Sequence, residues 1–559
     1  MAAIVSSNFR VVNSSNFKED VANSAVYVGI GKGDVWSNST SDTTDLATAP
    51  TPGDHLDEFG VARSNLIGVK KVASSNLSHV TNRHTWDGAT SYVAWDSKDS
   101  NIFDKKFYVV TNEFKVYKCI IAGSGASSQQ PTQTLTQPQA ESDGYTWKFM
   151  YTISVTDAEK FLTNAYMPVK YIPMGGEGQV AVAAAAGQTI VLLKEISDDI
   201  AVGMTVSGTG QPTAAADRKI AAINGTQITL AGNIASGGMA ANSILTFAYA
   251  ADGDAEANLS EADYSQYLNQ KASRDDSLAA GIERIVLETI DSNGDRTDSA
   301  TSGSGYSSAP TVTISGDGSG ATATATVASG AITGITINAK GTNYTKANIL
   351  ITGGGGSGGA ARAVIAPNYR GQGKSGHGTD PRAELGGFFM GLNVKLDGAD
   401  GSGDITVGND FRQIMLLKNP LNGSGASSGQ IASADTLKAL DKLDFSTTFS
   451  SGSSVADFVV DEVITGNSAN APKAFVTEID STNGFVFFHQ NQKTGFEPFD
   501  DGEVITGATS GTVGTLESSN AVIAAELDRE SGELLFLENR LPINRTASQI
   551  EDIKIILEF

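Results

Sequence analysis

Short apolar runs with a period of two, broken by glycine- and proline-bearing turns, recur along the whole chain. "AVYVGI" (25–30), "FYVVTN" (107–112), "FKVYKCIIAG" (114–123) and "YTWKFMYTI" (145–153) read as strands. At the far end, "EDIKIILEF" puts Ile553, Ile555, Leu557 and Phe559 on one side, the pattern of a half-buried strand. Helical signals are few. "SVTDAEKFL" (154–162) predicts a turn or more of helix with Thr156 or Asp157 as its cap. "SEADYSQYLNQKASRDD" (260–276) predicts a longer helix capped by Ser260, with Asp263 three residues on. The polar, proline-bearing stretch 127–144 is a loop.

Three blocks differ in style from the aromatic remainder. Residues 174–255 alternate apolar triplets with glycine turns, as in a small all-β module. Residues 291–370 repeat internally: "GSGYSSAPTVTISGDGSG" is answered by "GTNYTKANILITGGGGSGG", with Tyr306 and Tyr344 lying 38 residues apart. Each copy reads as a hairpin-like unit, duplicated so that two half-cores cover each other. Residues 446–520 carry Glu462-Val-Ile-Thr-Gly466 and Glu503-Val-Ile-Thr-Gly507, two copies of a strand-turn-strand unit. The pattern predicts a mainly β (α+β) fold. Its core is formed by residues 1–173, 256–290 (with the helix), 371–445 and 521–559, interrupted by small Gly-rich all-β insertions. Loop tips accept such insertions because the ends of the host loop stay close together.

Composition narrows the functional classes. A chain of 559 residues suggests roughly three to five domains. A net charge of −23, without a basic stripe, would repel a phosphate backbone, so no nucleic-acid partner is expected. The lone Cys119 rules out an internal disulfide and reads as a buried, inert thiol. No apolar run approaches a membrane span and the start lacks a signal pattern, so the expectation is a protein made in a cytoplasm with no membrane partner.

Each motif that resembles a chemical site fails on context. "VYVGIGKGDVW" (26–36) has its third glycine one position too early for a dinucleotide loop, and Asp34 follows where a pyrophosphate would sit. "GQGKSG" (371–376) has Asn368 where a P-loop needs glycine, and no apolar helix follows it. "GGSGG" (355–359) lies in a glycine turn rather than a strand-to-helix elbow. His55, His79, His84, His377 and His489 form no zinc spacing. The acidic stretches 291–298 and 397–404 lack the terminal glutamate of a calcium loop. They read as solvated turns, with a weak structural cation as the alternative. No cofactor, metal or catalytic residue is assigned.

The segments outside the blocks carry a family signature. "DGYTWKFMYTI" (143–153), "DFRQIMLLKNPL" (410–421), "GELLFLENRLPINRTASQIEDIKIILEF" (532–559) and the opening "SSNFR" (6–10) resemble the dimeric wedge protein of contractile-tailed phage baseplates. The resemblance spans most of 1–173 and 386–444 plus the last thirty or so residues. It implies a layered β-sandwich core, a non-enzymatic structural role in the virion tail baseplate, and a homodimer bound to other wedge proteins. The three Gly-rich blocks have no counterpart in that family. Arg540 and Arg545, around the turn in "ENRLPINR", are the candidate interface residues, since a guanidinium fork suits carboxylates on a partner. A solvated or intramolecular ion pair is the competing reading of each. A tail-fibre or receptor-binding adhesin is the rival function, and a virion-associated polysaccharide hydrolase is the third. The hydrolase would need converging carboxylates that nothing in the sequence singles out.

Overall fold

The computed structural model describes residues 3–37, 44–197, 199–250, 259–275, 281–369, 374–398, 405, 410–450, 452–545 and 549–559. The fold is mainly β, with five α-helices among the described residues, the class its sequence pattern predicts. The chain divides into two compact units, Met1–Val11 with His79–Phe389 and Val12–Ser78 with Met390–Phe559. The segments expected to make one core are therefore shared between two bodies.

In the second unit a five-stranded antiparallel sheet runs in the order Thr436–Lys438, Leu66–Lys71, Val26–Gly31, Phe411–Lys418, Glu533–Ile543. Alternation sorts its side chains. Val26, Val28, Ile30, Ile414 and Leu416 pack on Met390, Leu392 and Val394 and on Ile553 and Ile555 of the strand Gln549–Glu558. Tyr27, Leu66, Val69, Met415 and Leu417 fill the opposite face with Ala62 of the helix Leu56–Ser64. Leu557 and Phe559 join the first cluster half-buried, as the terminal alternation implies. The glycines of "VYVGIG" let neighbouring strands close up. A methyl on Gly29 would stand 2.7 Å from Leu66 Cδ1, and one on Gly31 would stand 2.7 Å from the Asn65 carbonyl oxygen. That loop is a packing device.

The third Gly-rich block closes into a small barrel. The strand Asp441–Phe449 pairs with both Phe485–His489 and Val513–Leu516, and Lys473–Asp480, Val463–Gly466 and Val504–Gly507 complete the ring. The two Glu-Val-Ile-Thr-Gly copies lie antiparallel about the Thr465–Thr506 pair. Each glutamate serves the other copy. Glu462 accepts from the backbone N–H groups of Thr509 and Ser510, both at 2.9 Å, beyond the second strand. Glu503 accepts from Ser468 N–H at 2.7 Å, beyond the first. A methyl on Gly507 would strike Glu462, and one on Gly466 would strike Glu503, so the motif's glycine makes room for its partner's carboxylate.

The first unit is built on a four-stranded sheet, Tyr108–Val110, Lys115–Ile121, Thr146–Thr152 and Gln139–Ala140 in spatial order. Tyr117, Cys119, Tyr145, Trp147 and Phe149 form an aromatic layer on one face. Burial pushes the Cys119 thiol up to about 12. The helix Val155–Phe161 is capped by Ser154 rather than by Thr156 or Asp157. Ser154 has extended backbone, and its Oγ accepts from Asp157 N–H at 3.0 Å. The helix Glu261–Asp275 begins as predicted, with Asp263 N–H donating to Ser260 Oγ at 3.2 Å.

The first Gly-rich block has its own core, Val180, Val191, Met204, Val206, Ile228, Leu245 and Phe247 among others, between two three-stranded sheets. Its first strand, Gly176–Gln179, pairs with its last, Ile244–Ala248, so the block leaves its host where it entered. The second block differs from the expected pair of hairpins. The middle strand of one copy, Thr311–Gly316, pairs with the middle strand of the other, Ala347–Thr352. Ser319–Ala328 forms a hairpin with the connecting strand Ala331–Thr342, and Ala360–Ile365 pairs with Ile282–Ile290, the strand that precedes the block. Each copy's core therefore needs the other. Tyr306 lies against Gly356 and Tyr344 against Gly318, the equivalent glycine of the opposite copy.

Two glycine substitutions should move stability in opposite directions. Gly31→Ala presses on backbone and is expected to cost about 1–3 kcal/mol. Gly60→Ala, in a helix with open space around it, should stabilise by about 0.5–1 kcal/mol. Urea unfolding of the two variants checks the contrast.

Candidate functional site

In the first unit, antiparallel register puts Lys118 directly opposite Lys148, on the face away from the aromatic layer. Both are buried. Two amines so placed lose their hydration, and would repel if both were charged, so the position demands polar partners. They come from distant chain. Lys118 Nζ donates to Glu384 Oε2 at 2.9 Å and lies 4.5 Å from the Trp95 ring centroid. Glu384 also accepts from Gly378 N–H at 2.9 Å and Asp380 N–H at 3.2 Å. His377 stands edge-on to Trp95, with Nε2 2.6 Å from Glu283 Oε1 and Nδ1 3.6 Å from Glu384 Oε2. Burial alone would raise the Glu384 carboxyl; Lys118 and His377 outweigh it and hold it at about 2.

Lys148 Nζ donates to the Phe149 carbonyl at 2.9 Å and to Asn269 Oδ1 at 3.4 Å. Next along the same helix, Gln270 accepts from Ile172 N–H at 3.1 Å and donates to the carbonyls of Ile172 at 3.0 Å and Thr379 at 3.3 Å. One buried polar knot thus gathers the sheet, the chain entering the first block, the helix between the blocks and the chain leaving the second. The second block is tied down separately. Arg284 and Arg362 both bond Asp96, and Arg284 also donates to the carbonyls of Trp95 at 2.7 Å and Ile120 at 3.0 Å.

The second unit has a comparable centre at Asp34. Its carboxylate meets Lys32, Lys493 Nζ at 2.7 Å, Asn491 Nδ2 at 3.2 Å and His489 Nε2 at 3.4 Å. His489 Nδ1 lies 2.8 Å from Thr477 Oγ1 in the barrel. Burial would raise Asp34, but the His489 bond and Lys32 hold it well below the usual carboxylate range. Lys32, with burial outweighing Asp34, falls to about 8. This centre bolts the barrel to the glycine-bearing strand.

Two shallow grooves lie elsewhere. One of about 530 Å³ in the first Gly-rich block is lined by Val182, Gln188, Thr189, Ile190, Leu192 and Asn233 and no ionisable group. Another of about 490 Å³ in the second unit runs beside Pro50, Pro52, Arg540 and Lys554. Its carboxylate, Glu538, accepts from Arg540 Nε at 2.9 Å.

Of the candidate interface residues, Arg540 is exposed on this groove, while Trp36 Nε1 donates to its carbonyl at 2.7 Å. Arg545 is buried. Its Nε donates to Glu551 Oε2 at 2.9 Å and its Nη1 to the Ile405 carbonyl at 2.9 Å, the intramolecular alternative. His55 caps a helix by accepting from Glu58 N–H, and His79 Nδ1 lies 2.8 Å from the Gly387 carbonyl. Burial lowers His84 to about 4. In the acidic stretch 291–298, Asp291 forms an Asx turn with Asn293 and Asp295, and Asp298 pairs with Arg362. Residues 371–373 and 399–404 of the two remaining motifs lie outside the described residues. Among the described residues no three His, Cys, Asp or Glu side chains converge as metal ligands, and no helix is long and apolar enough to cross a membrane. Comparison with protein-family models and with curated proteins finds no match.

The knot was visible in the sequence only as an oddity, a lysine in the middle of each of two apolar strands. Breaking it from one side should be severe. Lys118→Met or Glu384→Gln alone is expected to cost about 3–5 kcal/mol, and the double variant much less. Because the Glu384 carboxyl is lowered on folding, its contribution is complete above its ordinary 4.5 and fades as pH falls toward about 2. Denaturant titrations of wild type and double variant across that window should show the wild type losing its advantage.

Proposed function

We propose that the chain is a non-enzymatic structural subunit of a contractile-tail baseplate wedge. In this reading it is a homodimer in the virion that joins neighbouring wedge proteins and binds neither nucleic acid nor membrane. The observation that carries the reading is where the family-like segments fall. They lie on strands of the sheets: 143–153 on Thr146–Thr152 and 410–421 on Phe411–Lys418, each flanked by strands on both sides, and 532–559 on the edge strands Glu533–Ile543 and Gln549–Glu558. Their resemblance is to a scaffold, and the ionisable groups beside them are engaged in holding chain to chain. Lys148 faces Asn269, Lys118 faces Glu384, and Arg545 faces Glu551. In this role the three small β bodies are outward contact surfaces. Stable association of such a subunit needs about 1,200 Å² or more of buried surface, and in this reading the β bodies contribute to it.

A reconstruction of purified virions containing this chain tests the proposal. The expected density places it in the baseplate wedge, in paired copies, and the isolated protein should sediment at twice the 58.0 kDa of one chain. Density at a fibre tip would favour the adhesin reading. Depolymerisation of host polysaccharide by the purified protein would replace the proposal with an enzyme.

A further inference from the structure

The Lys148–Asn269 contact has the makings of a covalent bond. The two residues are 121 apart in sequence and both are buried. The Asn269 carboxamide is fixed in orientation, with Nδ2 donating to the Met150 carbonyl at 2.8 Å while Oδ1 faces Lys148 Nζ at 3.4 Å. The atom that the amine faces, Oδ1, is bonded directly to Cγ, the electrophilic carbon. Gly378, at φ +88°, leaves the amine its space; a methyl there would stand 3.0 Å from Nζ. The N–H of the same glycine donates to the Glu384 carboxylate. Lys118 takes Glu384 as its ion-pair partner, and burial favours the neutral form of a lysine amine. Fixed proximity in a water-excluded site replaces an unfavourable bimolecular encounter.

We propose that Lys148 and Asn269 are joined by an intramolecular isopeptide bond. The neutral ε-amine attacks Cγ of Asn269, the Cγ–Nδ2 bond breaks, and a proton from the amine leaves with Nδ2 as ammonia. The product is a secondary amide and the step needs no oxidant or cofactor. The bond closes a covalent loop from 148 to 269 around the first Gly-rich block, at the root where a mechanically loaded scaffold would otherwise open.

Intact-mass spectrometry of the purified full chain tests this. The expected mass is about 17 Da, one ammonia, below that of the sequence. Proteolysis should yield a branched peptide linking residues 148 and 269, and Lys148→Arg should restore the full mass. A wild-type chain at full sequence mass overturns the proposal, whether or not the variant folds. So does a deficit that persists in Lys148→Arg, or one that maps to a succinimide at another asparagine.

Discussion

Lys118 and Lys148, buried side by side on two paired strands, are what the rest of the first unit is arranged around. Burying one lysine amine is expensive, and burying two as neighbours is tolerable only if carboxylate and carbonyl groups converge on them. No local sequence can supply those groups. Glu384 is 266 residues from Lys118, and Asn269 is 121 from Lys148. Satisfying the lysines therefore fixes which distant segments must meet, and those segments are the ones that lead into and out of the inserted blocks. Asp34 does the same for the barrel in the second unit, drawing His489, Asn491 and Lys493 onto the strand that precedes it.

The inserted bodies follow a second rule, reciprocity. In the barrel each Glu-Val-Ile-Thr-Gly copy lends its glutamate to the turn of the other, over a glycine that lacks a Cβ. In the second block each tyrosine packs on the other copy's glycine. Neither half is complete alone, so duplication yields a closed body with its own core. Such a body can be carried on a host loop without rewriting the host.

This also explains what the sequence could disclose. Period-two alternation locates strands well: Ile553 and Ile555 are core, and "YTWKFMYTI" is an interior strand. The pattern does not say which strand pairs with which, so the repeats of the second block read as hairpins although their middle strands pair across copies. Caps were less legible. Ser154 lost to its neighbours on spacing alone, and the helix Leu56–Ser64 was missed because its cap is His55, an unusual acceptor. The helix Ser7–Asn23 was missed because it lacks an apolar stripe of helical period. The knot was hardest to foresee, because its members are scattered from Lys118 to Glu384 and become partners only once the fold exists. Arg545 shows the converse. Its position by a turn suggested a surface, but Glu551, six residues on, takes it inside.

If the buried knot organises the first unit and the inserted bodies are passengers, excision should leave the host intact. The chain positions flanking the first block are adjacent, with Gly176 opposite Phe247, so a short Gly-Ser linker can replace residues 176–248. Amide hydrogen exchange on that shortened protein is the most direct measurement. Native-like protection retained at Lys118, Lys148 and the helix Glu261–Asp275 is the predicted result. Loss of protection throughout those strands and that helix would contradict the account, because the block would then be holding the host together.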